Sequence, residues 1–257
     1  MMAGDELASW PDHLQSVLDE INGPLRRIIV LRETDSTQDA AKRFGAQPGD
    51  VVTAGRQTAG RGRLGRAWAD TVDAGVAVTM VVDCRSLRAT EQLATIGAIA
   101  AACAVEAVMG ARVGIKWPND VVVDGRKLAG VLIEQSGGVA MVGVGINVGQ
   151  LSWPASLGDR AVSVAQLLPA DRAGSISRVT VIKWLLRSMT NALAMDEDAL
   201  AEAFASRDAL SGSITVFRTP AGIVQGEVLR VQPSRGLLVR SVEGEVWLDA
   251  ATMSVIV

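Results

Sequence analysis

The chain contains no tyrosine and three phenylalanines, one histidine and two cysteines in 257 residues. Nothing in the sequence explains the missing tyrosine. A single histidine, His13, nearly excludes a Ser-His-Asp or Cys-His triad and any zinc site built on histidines. Cys84 and Cys103 stand far apart in apolar surroundings, with no C-x-x-C, and read as small buried hydrophobes rather than as metal ligands or nucleophiles. The longest apolar run, Ile96 to Val105, is interrupted by Gly97 and followed by Glu106, well short of the roughly 20 residues of a membrane span. The first ten residues carry acidic rather than basic side chains and precede no apolar segment, unlike a signal peptide. A cytoplasmic protein with no membrane role is expected. Any chemistry must rest on lysine, arginine, carboxylates and backbone.

What is present is 49% hydrophobic residues and a net charge of −3, enough for one large or two modest globular units. Helical spacing of Leu14, Val17, Leu18 and Ile21 predicts a helix over 11–22, closed by Gly23. A β-branched strand follows, then "DSTQDAAKRFG", where Ser36 and Asp39 have the spacing of a capping box. "DVVTAGR" and "GVAVTMVV" read as strands, and 87–110 as a long helix. Beyond it come short strands, "RVGIKW", "DVVVDG", "KLAGVLIEQ" and "GVAMVGVGINV", two of them joined by an Asp124-Gly125 turn. Strands so close cannot alternate with crossover helices, so the sheet is mixed or antiparallel. An irregular stretch over 151–177 leads into helices to about 210. From Ser211 about five short strands predict a small SH3-like β-barrel, which divides the chain into 1–210 and 211–257.

Between two strands lies "RQTAGRGRLGRAW", 56–68, with four arginines and no acid. Gly60, Gly62 and Gly65 spell G-x-G-x-x-G, but no helical stripe follows to hold a pyrophosphate, so a dinucleotide fingerprint fails. No Walker A loop occurs. The overall acidity argues against nucleic acid. Guanidiniums between glycine hinges, closing on an anion, fit better. "KWPND" adds Lys116, Asn119 and Asp120; Lys127 stands near Gly130, and Asn147 ends "GVGIN". Cations, glycines and a carboxylate without a nucleophile are the parts of a nucleotidyl-transfer site, which works by positioning and charge neutralisation.

Taken in order, "DSTQ", "GRQTAGRGRLGRAW", "KWPNDV", "KLAGVLIE" and "GVGINV" resemble the biotin protein ligases. The resemblance implies an α+β fold: a mixed-sheet catalytic domain like that of class II aminoacyl-tRNA synthetases, and a C-terminal SH3-like domain. It implies activation of biotin by ATP with Mg²⁺, then transfer to a lysine of the biotin carboxyl carrier domain of a carboxylase. Ser36, Thr37 and Gln38 match the family's biotin segment, with Gln38 in place of the usual asparagine. Gln57 matches the glutamine that reads the ureido ring, and Gly130 would lie against biotin. Arg61, Gly62 and Arg63 match the loop that folds over the biotin carboxylate and the adenylate phosphate, with Arg66 on the ATP side; Leu64 takes no role. Trp68 and Asn147 look like the adenine-side residues, and Lys116, Asn119 and Asp120 like ATP partners, Asp120 also for Mg²⁺. Lys127 matches the lysine that neutralises carboxylate and phosphate oxygens, so Arg63 and Lys127 are the expected catalytic pair. About 30 residues precede the first catalytic strand, too few for a helix-turn-helix domain with a linker, so a ligase without repressor function is expected. A free sheet edge offers a surface for a homodimer. Lipoate or octanoate ligases share the chemistry, and a non-catalytic biotin- or nucleotide-binding regulator is the reading from another class.

Overall fold

Alternation of small and branched apolar residues in the strands sorts them onto two faces, and the helices cover both. A computed structural model describes residues 7–68, 74–84, 90–233, 235–249 and 253–256. Seven strands form the central sheet: β1 (Arg27–Thr34), β2 (Asp50–Gln57), β3 (Gly75–Asp83), β4 (Gly114–Lys116), β5 (Asp120–Val123), β6 (Arg126–Ser136) and β7 (Val139–Asn147). Their order is β1-β2-β3-β7-β6-β5-β4, with β1 and β2 parallel and every other pair antiparallel. The expected mixed sheet is therefore observed. Asp124 (φ 49°) and Gly125 (φ 74°) make the tight β5–β6 turn that their sequence calls for.

Helix α1 (Trp10–Ile21) ends one residue earlier than the sequence suggests, because Asn22 rather than Gly23 adopts the left-handed conformation, at φ 42°. Gly23 serves close approach instead, since a Cβ there would lie 2.4 Å from Thr190 Cγ2. After the short α2 (Thr37–Arg43) comes α3 (Thr90–Met109), whose buried alanines and Gly97 let it press on the sheet. A Cβ at 97 would sit 2.8 Å from Val131 Cγ1. This helix is apolar and long enough to cross a membrane, but 78% of its 18-residue window is buried within the fold, so it is a core helix. The irregular stretch contains two single-turn helices, α4 (Val164–Leu167) and α5 (Ala170–Ala173), and α6 (Arg178–Ala194) and α7 (Glu197–Ala205) follow. Val76, Val78 and Met80 of β3 join α1, α3 and α6 in one core, while Val81 packs with Val52, Ala40 and Ala41 beneath α2. The sheet thus has a thick helical face and a thinly covered one.

Beyond α7, five strands form a second antiparallel sheet: β8 (Ile214–Thr219), β9 (Gly222–Gln232), β10 (Gly236–Ser241), β11 (Gly244–Leu248) and β12 (Ser254–Ile256), ordered β11-β10-β9-β8-β12. The expected α+β class and the C-terminal all-β segment are both present. Residues 207–209 run beside β4: Ile115 N donates to Arg207 O (2.6 Å) and Ala209 N to Ile115 O (3.1 Å). The chain therefore caps its own sheet edge at Ile115, leaving β1 as the opposite edge.

Candidate active site

The thinly covered face carries a cavity whose floor follows from strand register. Ala77 on β3, Gly145 on β7 and Gly130 on β6 stand side by side, with Gly143 and Leu132 paired one step further along. Three glycines and an alanine on adjacent strands leave a trough where ordinary side chains would fill the space. Ser36, Thr37 and Gln38 close one end, Gln57 and the 60–68 loop cover the top, and Lys127 and Asn119 hold the other end.

The α2 end is built from buried polar groups. Gln57 Oε1 accepts from Thr37 N (2.8 Å) and Thr37 Oγ1 (3.2 Å), and Thr79 Oγ1 donates to Thr37 Oγ1 at 2.8 Å. Gln38 spends its amide NH₂ on Leu132 O and Met141 O, both at 3.2 Å, which clamps α2 onto β6 and β7. Its longer side chain thus works as a sheet clamp, and only Oε1 remains for a ligand. The capping box expected of Ser36 and Asp39 does not form: Ser36 is the N-cap residue but makes no side-chain cap bond. Asp39 is drawn outward by Arg61 and Lys42, while Ser36, 3% exposed, turns to the cavity. A buried hydroxyl that forgoes its cap is poised for a ligand.

The arginine loop is a small hairpin rather than a slack hinge. Gly62 N donates to Arg66 O (2.7 Å), Trp68 N donates to Gly60 O (2.9 Å), and Arg61 bridges Ala67. Gly65 (φ 72°) makes the turn, and a Cβ on Gly60 would lie 2.8 Å from Gln57 Nε2, so these glycines serve geometry as well as motion. Residues 63–65 form a single 3-10 turn, and no helix follows through 68; 69–73 lie outside the described residues. Trp68 lays its indole on the trough, close enough that a Cβ at Gly145 would be 2.6 Å from its Cε2.

Lys127 reaches the cavity through an irregularity. Strict alternation sets 127 and 130 on opposite faces, but the β5–β6 register shifts between Val121 and Val122, so one extra residue on β6 turns Lys127 to Gly130's side. A Cβ on Gly130 would lie 2.9 Å from Lys127 Nζ. The ammonium lies 2.6 Å from Asp120 Oδ1, an ion pair without an aligned hydrogen bond, and 5.6 Å from the Trp68 ring centroid. Arg63 Nη1 donates to Asn119 Oδ1 (3.1 Å), and Asn119 is itself fixed on β6 through Nδ2 to Val131 O (2.9 Å).

The structure thus gathers Ser36, Thr37, Gln38, Gln57, Arg61, Gly62, Arg63, Trp68, Asn119, Lys127 and Gly130 around one cavity. Asp120 touches it through Lys127. Asn147, 4% exposed, spends its Nδ2 on Lys127 O and Val162 O, both at 3.1 Å, and so supports Lys127 from behind rather than facing the cavity. Lys116 and the exposed Arg66 are not among the lining residues. Ala77, Gly143 and Gly145 join the lining residues on the floor; the two glycines are those of "GVGIN", whose period-2 spacing puts them on one face. Among the described residues, no cluster of three His, Cys, Asp or Glu side chains has metal-binding geometry. Asp120, already paired with Lys127, makes no cage for Mg²⁺ alone; that ion fits here only as a passenger on substrate phosphates.

The mixed sheet thus carries a glycine-floored trough with a buried polar end and a cationic end. Residues 30–150 match the biotin/lipoate A/B protein ligase family. The biotin–[acetyl-CoA-carboxylase] ligase of Mycobacterium tuberculosis is 36% identical over 200 residues, covering 71% of this chain and 73% of that protein. The bifunctional ligase/repressor BirA of Bacillus spizizenii is 34% identical over 160 residues, 58% of this chain; the matched part spans only 49% of that longer protein. The biotin protein ligase of Aquifex aeolicus, solved in complex with biotin and ATP, is 28% identical with a TM-score of 0.79, covering 89% of this chain and 98% of that one. The chain belongs to the biotin protein ligase family.

Proposed function

We propose that this chain activates biotin with ATP to biotinyl-5'-AMP and passes the biotinyl group to a lysine of a biotin carboxyl carrier domain, in the cytoplasm. The observation that carries this reading is the trough with hydrogen-bonding groups at one end and two cations at the other. In this reading 1–210 form the catalytic domain and 211–257 a separate C-terminal one. Ser36 Oγ, Oε1 of Gln38 and the Thr37–Gln57 pair suit a compact polar head such as the ureido ring, which a fatty chain lacks. The small floor admits a ring system and a short acyl arm. Trp68 offers a stacking face for adenine.

At the other end, Lys127 and Arg63 bring two anions together. Biotin's carboxylate oxygen bonds to the α-phosphorus of ATP while the bond to pyrophosphate breaks, and the positive charges offset the repulsion between reactants. Asp120 and Asn119 hold those cations in place beforehand. In the second step a lysine amine of the carrier attacks the acyl carbon of the mixed anhydride, AMP departs and the amine loses its proton. The chain's part there is to exclude water, which the Gly60–Trp68 hairpin over the trough supports.

The matched family model spans lipoate as well as biotin ligases, so the discriminating experiment is pyrophosphate exchange with biotin, lipoate and octanoate in separate reactions. Exchange with biotin alone is expected. Exchange with lipoate or octanoate would assign the pocket to a fatty acid, and none with any acid would leave a binding protein.

A further inference from the structure

Two arginines of the loop point in opposite directions, and only one of them faces the cationic end. The Arg61 guanidinium takes Asp39 of α2 in a two-point grip, with Nη1 to Oδ2 and Nη2 to Oδ1 (2.8 Å), and also reaches Glu134 Oε1 of β6 at 3.1 Å. Lys42 Nζ closes the cluster, 2.7 Å from Glu134 Oε2 and 3.6 Å from Asp39 Oδ1, so two cations balance two carboxylates. Arg61 holds the Asp39 carboxyl below its usual range against the opposing effect of partial burial. Glu134 lies four residues along β6 from Gly130, about 13 Å at strand rise, and therefore at the far rim of the trough from Lys127. Arg63, two residues further along the loop, turns to Asn119 beside Gly130 and Val131 instead. The chain thus straddles the trough, fastened at one rim by Arg61 and at the other by Arg63.

We propose that Asp39 and Glu134 are positioning residues that clamp Arg61, so that Arg61 anchors the loop and Arg63 alone of the pair is presented to the acyl phosphate. This rests on the adenylation reading above for its consequence, though not for its geometry. To bind phosphate itself, Arg61 would have to give up a bidentate carboxylate and leave Asp39 with only the longer Lys42 contact.

The test is the double substitution Asp39→Asn with Glu134→Gln, compared with Arg61→Gln and with the triple variant. Tryptic cleavage after Arg63 and Arg66 in the ligand-free protein reads loop anchoring, and dissociation of biotinyl-5'-AMP reads its consequence. The double variant should raise both rates about tenfold, the size of one lost charge-assisted pairing, while pyrophosphate exchange stays within about twofold. Arg61→Gln should raise both rates similarly, and the triple variant no further, because the residues act as one unit. The conservative Asp39→Glu should restore retention. Unchanged cleavage and release in the double variant, or additive effects in the triple, would overturn the clamp. If wild-type protein shows no exchange, the adenylation reading fails, and the cleavage comparison still decides the clamp. Should the double variant misfold, Arg61→Gln, whose side chain is 39% exposed, gives the same reading.

Discussion

Replacing Gly145 with alanine tests whether the Trp68 indole serves as the adenine platform. The new Cβ would stand 2.6 Å from Cε2 and 2.7 Å from Cζ2 of that ring, where relaxed carbon contacts need about 3.5–4.0 Å. The indole must therefore move by about 1 Å. Trp68 N is tied to Gly60 O at 2.9 Å, which fixes the backbone of the hairpin beside the ring. The ring has to pivot away from the sheet, at about 0.5–1.5 kcal/mol for a side chain about 30° from its rotamer. A base stacked on such a ring is worth about 1–3 kcal/mol, so nucleotide affinity should weaken about 5- to 150-fold. The new Cβ meets Trp68 first, while Thr37 and Gln57 keep their bonds to each other, so biotin binding without nucleotide should change less than nucleotide binding. Alanine also suits a strand better than glycine by about 0.5–1 kcal/mol, which partly offsets the crowding and keeps the variant folded. Titration of pyrophosphate exchange against ATP, with calorimetric biotin binding alongside, reads both effects. An unchanged ATP dependence in a folded variant would refute the platform.

Three further outcomes follow from the same geometry. Arg63→Gly, which removes the Asn119 contact, should leave adenylate formation measurable but let the intermediate escape and label bystander proteins; full retention would remove Arg63 from its role. Lys127→Ala should suppress exchange itself, since one of the two cations is lost and Asp120 is left as an uncompensated anion beside the phosphates; wild-type exchange would exclude lysine from the mechanism. In a pH titration of folding stability, Asp35, lowered by Arg43, the Ser36 amide and Thr34, and Asp39, lowered by Arg61, contribute stability that is complete above the ordinary carboxylate pKa. That contribution is lost as pH falls through their depressed native values, so melting temperature should hold from neutral pH to about 5 and drop below about 4. A decline that began above pH 6 would contradict these pairings.

The cations and glycines of the proposed site were the most legible in sequence, because each is an unusual residue for its place. Four arginines between glycines, and a lysine beside Ala129-Gly130, declare themselves without a fold. The groups that hold those residues in place were not legible. Asp39 and Glu134 lie far apart in sequence, and their meeting depends on the hairpin returning across the trough. The direction of Lys127 depends on a register shift at Val121/Val122 that no alternation pattern reveals. Asn147 has the right type at the end of the right strand, yet its amide is committed to Lys127 O and Val162 O. Ser36 and Asp39 have capping-box spacing, but the Ser36 N–H goes to Asp35 Oδ1 (2.7 Å) and the Asp39 carboxylate to Arg61. Element types, by contrast, followed from periodicity. Which strands pair did not, since β3 pairs with β7 and β8 with β12 across intervening elements.

The most direct test of the central claim is mass spectrometry of an apo biotin carboxyl carrier domain incubated with the chain, biotin and ATP. One biotinyl group on one lysine, dependent on ATP and absent when lipoate replaces biotin, is the predicted result. An unmodified carrier, with the protein folded and biotin bound, would contradict it.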